Sequence, residues 1–180
     1  MSSASRELTL AELEAGLDHI RASPRDVGTV EMIVRRPRSG EREVLASARL
    51  DPNAGLVGDR WGAVTPPHGE QLTLMNSRAV ALLAQDRARW PLAGDQLYVD
   101  LDLSAANVPP GTRLAVGGAQ IEVSAEPHTG CRKLRARYGL DAVRFVGSKV
   151  GQELQLRGIN ARIVAPGDVH VGDPIRKAAP

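Results

Sequence analysis

The one thiol of the chain stands in the run Glu126-Pro127-His128-Thr129-Gly130-Cys131-Arg132-Lys133, with an imidazole three residues before it and two cations directly after it. Adjacent positive charge stabilises a thiolate, and the thiolate is the form that attacks electrophiles and ligates soft metals. Pro127 and Gly130 mark a turn, after which residues 131–138 (CRKLRARY) read as a short basic helix with Leu134 and Tyr138 on one face. With Thr129 as its cap, that helix holds Cys131 in its first turn, where the dipole also favours a negative sulfur. The competing reading of Cys131 is a small buried hydrophobe, and its charged neighbours argue against it. His128 either exchanges a proton with the thiol or caps the turn, imidazole being the side chain best suited to proton exchange near neutral pH.

Other candidates surround this motif in the sequence. Arg132, Lys133 and Arg157 can hold an anion, because guanidinium groups pair bidentately with phosphate-type oxygens; each also reads singly as a solvated surface charge. Asp59, followed by Arg60 and Trp61, is either a polar ligand contact or the anchor of an Asx-type turn. Asp168 and Asp173 each follow a glycine and read as hairpin fixers. His19, His68 and His170 share no ligand spacing, so no zinc pattern is present. Walker and Rossmann fingerprints are absent from the sequence, which leaves nucleotide chemistry without a motif.

Residues 51–70, with four glycines and three prolines, form a long loop of the kind that lines binding sites. The elements that must position these residues follow from hydrophobic periodicity. Thr9-Leu10-Ala11-Glu12 has the form of a capping box, and Leu10, Leu13, Leu17 and Ile20 recur at helical spacing up to Arg21. This N-terminal amphipathic helix is expected to cover the core as an appendage over residues 1–26, and residues 27–178 form the main domain. Val30, Met32 and Val34 alternate as a strand, the polar run 35–43 reads as a solvated hairpin tip rather than an anion site, and a second strand is expected over 44–50. Residues 71–75 predict a strand, and Asn76 or Ser77 then caps a helix that ends before Pro91. Residues 97–103 alternate again, and Gly117-Gly118 joins strands 112–116 and 119–124 in a hairpin. A short helix is expected over 140–146, then a polar stretch from Gly151 to Arg157. Residues 159–164 and 169–171 suggest a closing hairpin about Pro166-Gly167-Asp168, with Gly172-Asp173-Pro174 as the last turn. Many short strands with Gly and Pro turns and a few inserted helices predict a mainly β (α+β) fold with a closed or strongly curved sheet.

Composition bounds the function. The 42% hydrophobic content supports a sizeable core in 180 residues, and a formal charge of only +2 announces no polyanion partner. Five aromatic residues, Trp61, Trp90, Tyr98, Tyr138 and Phe145, supply too few rings for a single-strand stacking platform, so nucleic acid is not an expected partner. The polar start MSSASREL and the lack of 18 consecutive apolar residues predict a chain with no signal peptide and no membrane span. A single cysteine allows no intrachain disulfide and fits a cytoplasmic, reducing location.

In order along the chain, Gly55-Leu56-Val57-Gly58-Asp59, Gln71-Leu72-Thr73-Leu74-Met75, Gly111-Thr112 with Gly117, Pro127-His128-Thr129-Gly130-Cys131, Arg157-Gly158, Gly167-Asp168 and Gly172-Asp173 resemble the MOSC family. That domain is found at the carboxyl end of molybdenum-cofactor sulfurases and in small stand-alone bacterial proteins, and the likeness spans about residues 28–177. The resemblance implies a β-barrel-like fold whose cysteine carries sulfur as a persulfide or contacts molybdenum of a pterin cofactor. It therefore implies Cys131 as the catalytic or metal-contacting sulfur with His128 beside it, and Asp59, Arg60, Thr129, Arg132, Lys133 and Arg157 as cofactor contacts. A small-molecule or cofactor ligand and a molybdoenzyme or sulfur-donor protein are the implied partners. The alternative is a non-catalytic module that binds a pterin, an anion or a partner. The chain departs from the family pattern at Arg60-Trp61, where many members place a histidine, and at Asp95-Gln96, where many show Glu-Asn. The pyridoxal phosphate domain of the large sulfurases has no space in these residues, so cysteine desulfuration by this chain alone is not expected.

Overall fold

The computed structural model describes residues 6–63, 70–129 and 132–179. Seven strands close into a barrel: β1 (Val27–Arg35), β6 (Leu97–Asp100), β5 (Leu72–Asn76), β9 (Ile159–Ala165), β8 (Ala119–Val123), β7 (Arg113–Val116) and β11 (Pro174–Lys177), the last pairing back onto β1. Only β5 and β6 run parallel, which requires the crossover through helix α3 (Ser77–Ala84). The nine-residue β1 pairs with β11 at its start, β6 along its length and β2 (Glu43–Leu45) at its end, with a register shift between Val30 and Met32. Gly28 permits the barrel to close there, because a Cβ would lie 2.1 Å from the Asp100 carbonyl oxygen. A separate small sheet pairs β3 (Ser47–Asp51) with β4 (Gly55–Leu56) and β10 (Gly167–His170).

Alternation along these strands sends Val30, Leu74, Val99, Ile121 and Ile175 into the barrel, and the register shift of β1 after Val30 turns Ile33 inward as well, each fully buried, so Met32 and Val34, expected on the face of Val30, pack in the outer cluster instead. A second apolar cluster lies outside the wall. There Leu13, Leu17 and Ile20 meet Val80 and Leu83 of α3 and Phe145 of α5 (Leu140–Gly147). The N-terminal segment thus shares a core with the helices on the barrel. Burying each such side chain is worth about 2 kcal/mol.

The capping box forms as predicted: Thr9 Oγ1 accepts from the Glu12 backbone N–H, and the Glu12 carboxylate accepts from the Thr9 N–H at 2.8 Å. The helix beyond it is broken, however, into α1 (Leu10–Ala15) and α2 (Leu17–Arg21) by Gly16, where a Cβ would lie 2.6 Å from Leu82. The strand expected over 44–50 also divides, because β2 stays with β1 while β3 crosses to the small sheet. Asn76 caps α3, but Gln85 takes φ 63° and ends the helix early, and a 3-10 segment Arg87–Ala93 follows. The expected strand 97–103 stops at Asp100, and the Asp102 carboxylate turns the chain by accepting from the Ser104 N–H. Around Gly151 there is helix rather than a polar coil: α6 (Lys149–Glu153) begins under a Ser148 cap. Nor do β9 and β10 form a hairpin. The chain leaves the barrel at β10 to pair with β3, then returns as β11, a closing strand that the turn signal Gly172-Asp173-Pro174 had masked.

Candidate functional site

Where β1 ends, the chain turns Arg36 inward onto Asp59. The Asp59 carboxylate is fully buried and accepts from the Arg36 backbone N–H at 2.7 Å, from Arg36 Nε at 3.0 Å and Nη2 at 2.9 Å, and from the Trp61 N–H at 3.2 Å. Gln96 Nε2 adds a bond at 3.3 Å, and Gln96 Oε1 accepts from the backbone N–H and hydroxyl of Thr73. Of the two readings of Asp59, the Asx-type turn with Trp61 is seen, and its oxygens face protein donors. This network ties the loop ahead of the 3-10 turn Arg60–Ala63 to the starts of β5 and β6.

Asp95, immediately before Gln96, is fully buried as well. Its Oδ1 lies 2.9 Å from His128 Nε2, and its Oδ2 accepts from Arg157 Nη1 at 2.8 Å. Burial pushes the Asp95 carboxyl up, but the Arg157 guanidinium and then His128 overcome this and hold it down at about 2. Arg157 also donates to the Ala93 carbonyl at 3.0 Å and is only 7% exposed, so the solvated-surface reading of this arginine is corrected. A charge just outside a strand is buried here because a carboxylate is waiting for it. Gly158 makes the arrangement fit: it takes φ +112°, and a Cβ would lie 2.4 Å from the Leu74 carbonyl oxygen and 3.1 Å from the His128 ring.

The segment Pro127–Thr129 stands between two cavities. One, of about 420 Å³, is walled by Arg36, Arg60, Trp61, Glu70, Thr73 and Asn160; the other, of about 360 Å³, by Val146, Gly151, Gln152, Gln155 and Arg157. Pro127, His128 and Thr129 line both. Asn160 Nδ2 pins this segment by donating to the Glu126 and Pro127 carbonyls at 3.2 and 3.3 Å. His128 Nε2 faces Asp95, and among the described residues no hydrogen bond is made by His128 Nδ1.

The structure thus brings Arg60, Thr129, His128 and Arg157 to the cavity walls and puts Asp59 behind them. Arg132 and Lys133 are exposed on α4 (Arg132–Tyr138), and Arg132 lies outside the walls of both cavities. Leu134 and Tyr138 are buried, as the four-residue spacing predicted. Tyr138 donates to the Arg89 carbonyl and Arg89 Nη2 to the Arg137 carbonyl, both at 2.8 Å, so α4 is clamped on the 3-10 segment. Cys131, Gly130 and His68 lie outside the described residues. The sequence reading missed Arg36, Asn160 and the role of Asp95. Asp95 carried one signal, a carboxylate directly ahead of the apolar strand Leu97-Tyr98-Val99, a position where burial demands a counter-ion.

A family model for the MOSC domain matches residues 70–176. No curated protein matches the chain. Among solved structures, the YuaD protein from Bacillus subtilis aligns with TM-score 0.62 at 16% identity, over 85% of this chain and 97% of that one. YiiM from Escherichia coli aligns with TM-score 0.57 at 20% identity, over 84% and 70% of the two chains. YiiM from Geobacillus stearothermophilus gives 0.58 at 15% identity, over 84% and 75%. At these identities the likeness establishes the barrel fold. Among the described residues, no helix is long and apolar enough to cross a membrane, and no group of three or more His, Cys, Asp or Glu side chains is placed to hold a metal ion.

Proposed function

Since the chain belongs to the MOSC domain family, we propose that it handles sulfur at Cys131, carrying it as a persulfide or contacting a molybdenum-pterin cofactor beside the His128 cavity. The supporting observation is that the stretch leading into Cys131, Pro127-His128-Thr129, lines both cavities and is anchored by a buried carboxylate.

In sulfur transfer, the Cys131 thiolate attacks the terminal sulfur of a persulfide donor, either a donor protein or a small molecule. The new Sγ–S bond forms as the donor's S–S bond breaks, and the bonding electron pair leaves on the donor thiolate. His128 Nδ1 takes the thiol proton, while Asp95 fixes the ring through Nε2 and Arg157 fixes Asp95. The acceptor is a molybdoenzyme or its cofactor.

A molybdenum-pterin group, when bound, would supply oxygen- or sulfur-atom transfer at its metal. The donor chemistry of the larger cavity fits such a group: Arg36 and Arg60 bring guanidinium groups, Asn160 an amide and Thr129 a hydroxyl, against one carboxylate, Glu70, in that wall among the described residues.

Treatment with a low-molecular-weight persulfide, read by intact-protein mass, tests the proposal. The parent protein should gain one sulfur atom and Cys131→Ser none. His128→Gln should load slowly near pH 7 and recover at higher pH, where the thiol ionises unaided. Sulfur loading and molybdopterin retention both unchanged in Cys131→Ser would overturn it. The two arginines of the cavity wall, Arg36 and Arg60, favour a second reading, a module that holds a pterin or anion without turnover; rapid selective alkylation of Cys131 near pH 7 would count against that reading.

A further inference from the structure

The 360 Å³ cavity shares Pro127, His128 and Thr129 with the larger one but differs from it in charge. The larger cavity carries Arg36, Arg60 and Glu70. In the smaller one no carboxylate stands in the wall among the described residues, and its one guanidinium, Arg157, is met by the Asp95 carboxylate at 2.8 Å and the Ala93 carbonyl at 3.0 Å. The rest of that wall is uncharged: the Val146 side chain, the backbone at Gly147 and Gly151, and the amides of Gln152 and Gln155. A charged ligand would give up its hydration there without meeting an opposite charge that is still to be paired, whereas an uncharged polar one gives up far less.

Gln155 is the telling member. It takes φ 53° in the turn after α6, a left-handed conformation that a residue with a Cβ enters at a cost and glycine enters freely. Its backbone is engaged, the N–H donating to the Gln152 carbonyl at 3.2 Å and the carbonyl accepting from the Gly158 N–H at 2.9 Å. The half-buried side-chain amide has no partner among the described residues. Gln152 donates from Nε2 to the Gly147 carbonyl at 2.9 Å, which leaves its Oε1 as an acceptor. The wall therefore presents two amide oxygens and one amide N–H group, and a carboxamide carries the matching set of N–H donors and one carbonyl acceptor. Gly147 keeps this space open, since a Cβ there would meet nothing within 4 Å.

We propose that the 360 Å³ cavity binds a small uncharged carboxamide as a reactant of the site, separately from the ligand of the larger cavity. Its volume is in the range of small-molecule sites. His128 and Thr129 line both cavities, so two ligands of different chemistry flank one imidazole. The role as reactant rests on the sulfur-transfer reading of Cys131, whereas the binding does not. The stretch from Gly151 to Arg157, which hydrophobic periodicity alone made a polar connection, becomes one wall of a recognition site.

Benzamide and its charged analogues benzoate and benzamidine, titrated into the full chain and followed at the His128 ring by NMR, test this. Benzamide should bind saturably, and each of the two ions about tenfold more weakly or worse. Gly147→Leu fills the open space and favours helix α5, so it should abolish binding with no loss of thermal stability. Gln155→Gly keeps the turn and removes the amide, and should weaken binding about tenfold. Trp61 lines the larger cavity and not this one, so benzamide should leave the emission of Trp90→Phe unquenched. Cys131→Ala should bind benzamide as the parent does, which separates this site from the thiol chemistry: either can fail alone. Absence of saturable binding, benzoate or benzamidine binding as tightly as benzamide, parent-like binding by Gly147→Leu and Gln155→Gly, or quenching of Trp61 would overturn the proposal.

Discussion

Asp95→Asn is the sharpest test of how the site is held. The carboxylate has no exposure to water and meets Arg157 at 2.8 Å and His128 at 2.9 Å. A carboxyl held at about 2 rather than near 3.8 favours the ionised folded form by about 2 kcal/mol. Removing one member of a buried pair costs about 3–5 kcal/mol, since the other charge is left uncompensated. The asparagine retains one acceptor oxygen, so the expected loss is about 2–4 kcal/mol in urea denaturation followed by circular dichroism. Arg157→Met in the same background should restore part of it, giving a coupling of about 2 kcal/mol in a double-mutant cycle. The pH dependence has a fixed sign. The Asp95 carboxyl is depressed on folding, so its contribution is complete above the unfolded value near 3.8 and is lost as pH falls towards about 2. The parent should therefore lose stability relative to Asp95→Asn across that window. A loss under about 1 kcal/mol, no coupling with Arg157, and parallel acid profiles would refute the reasoning.

Gly158→Ala must fit a methyl where 2.4 Å separates its Cβ from the Leu74 carbonyl oxygen, at φ +112°; denaturation should show a loss of about 2 kcal/mol or more, with the His128 ring displaced in its NMR shifts. Thr9→Ala removes the side chain that accepts from the Glu12 N–H and should lower stability by about 1 kcal/mol in thermal unfolding. Trp61 lines the large cavity whereas Trp90 packs on Tyr98 with ring centroids 6.0 Å apart, so a ligand bound in that cavity should quench the emission of Trp90→Phe, which retains only Trp61, and leave that of Trp61→Phe unchanged.

Local patterns were legible wherever the physics was local. The Thr9 capping box, the Gly117-Gly118 hairpin, the Asn76 cap and the Leu134–Tyr138 face each depend on residues within about four positions of one another. The misreadings have one origin, the choice of distant partner. Alternation in 43–51 shows a strand and says nothing of the switch between sheets after Leu45, and residues 174–177 are too short to announce that they close the barrel. The site divides in the same way. His128 and the cations are visible by type, but the burial of Arg157 is decided by Asp95, 62 positions away.

The two networks explain why the barrel suits this site. Asp95 and Gln96 are neighbours at the entrance to one strand, so their side chains point to opposite sides. One anchors His128 and Arg157, the other reaches Thr73 and the Asp59 carboxylate that orients Arg36. A single rigid strand start thereby sets the spacing between the His128 imidazole and the wall that carries Arg36. Exchanging Gln96 for a residue without an amide would take one donor from Asp59 and the acceptor from Thr73, loosening the wall of the 420 Å³ cavity while the His128–Asp95 pair stayed intact. Gln96→Leu should therefore weaken ligand binding in that cavity, read from Trp61 emission, and spare persulfide loading. Equal loss of both would mean that the two halves of the site are held by something other than this strand.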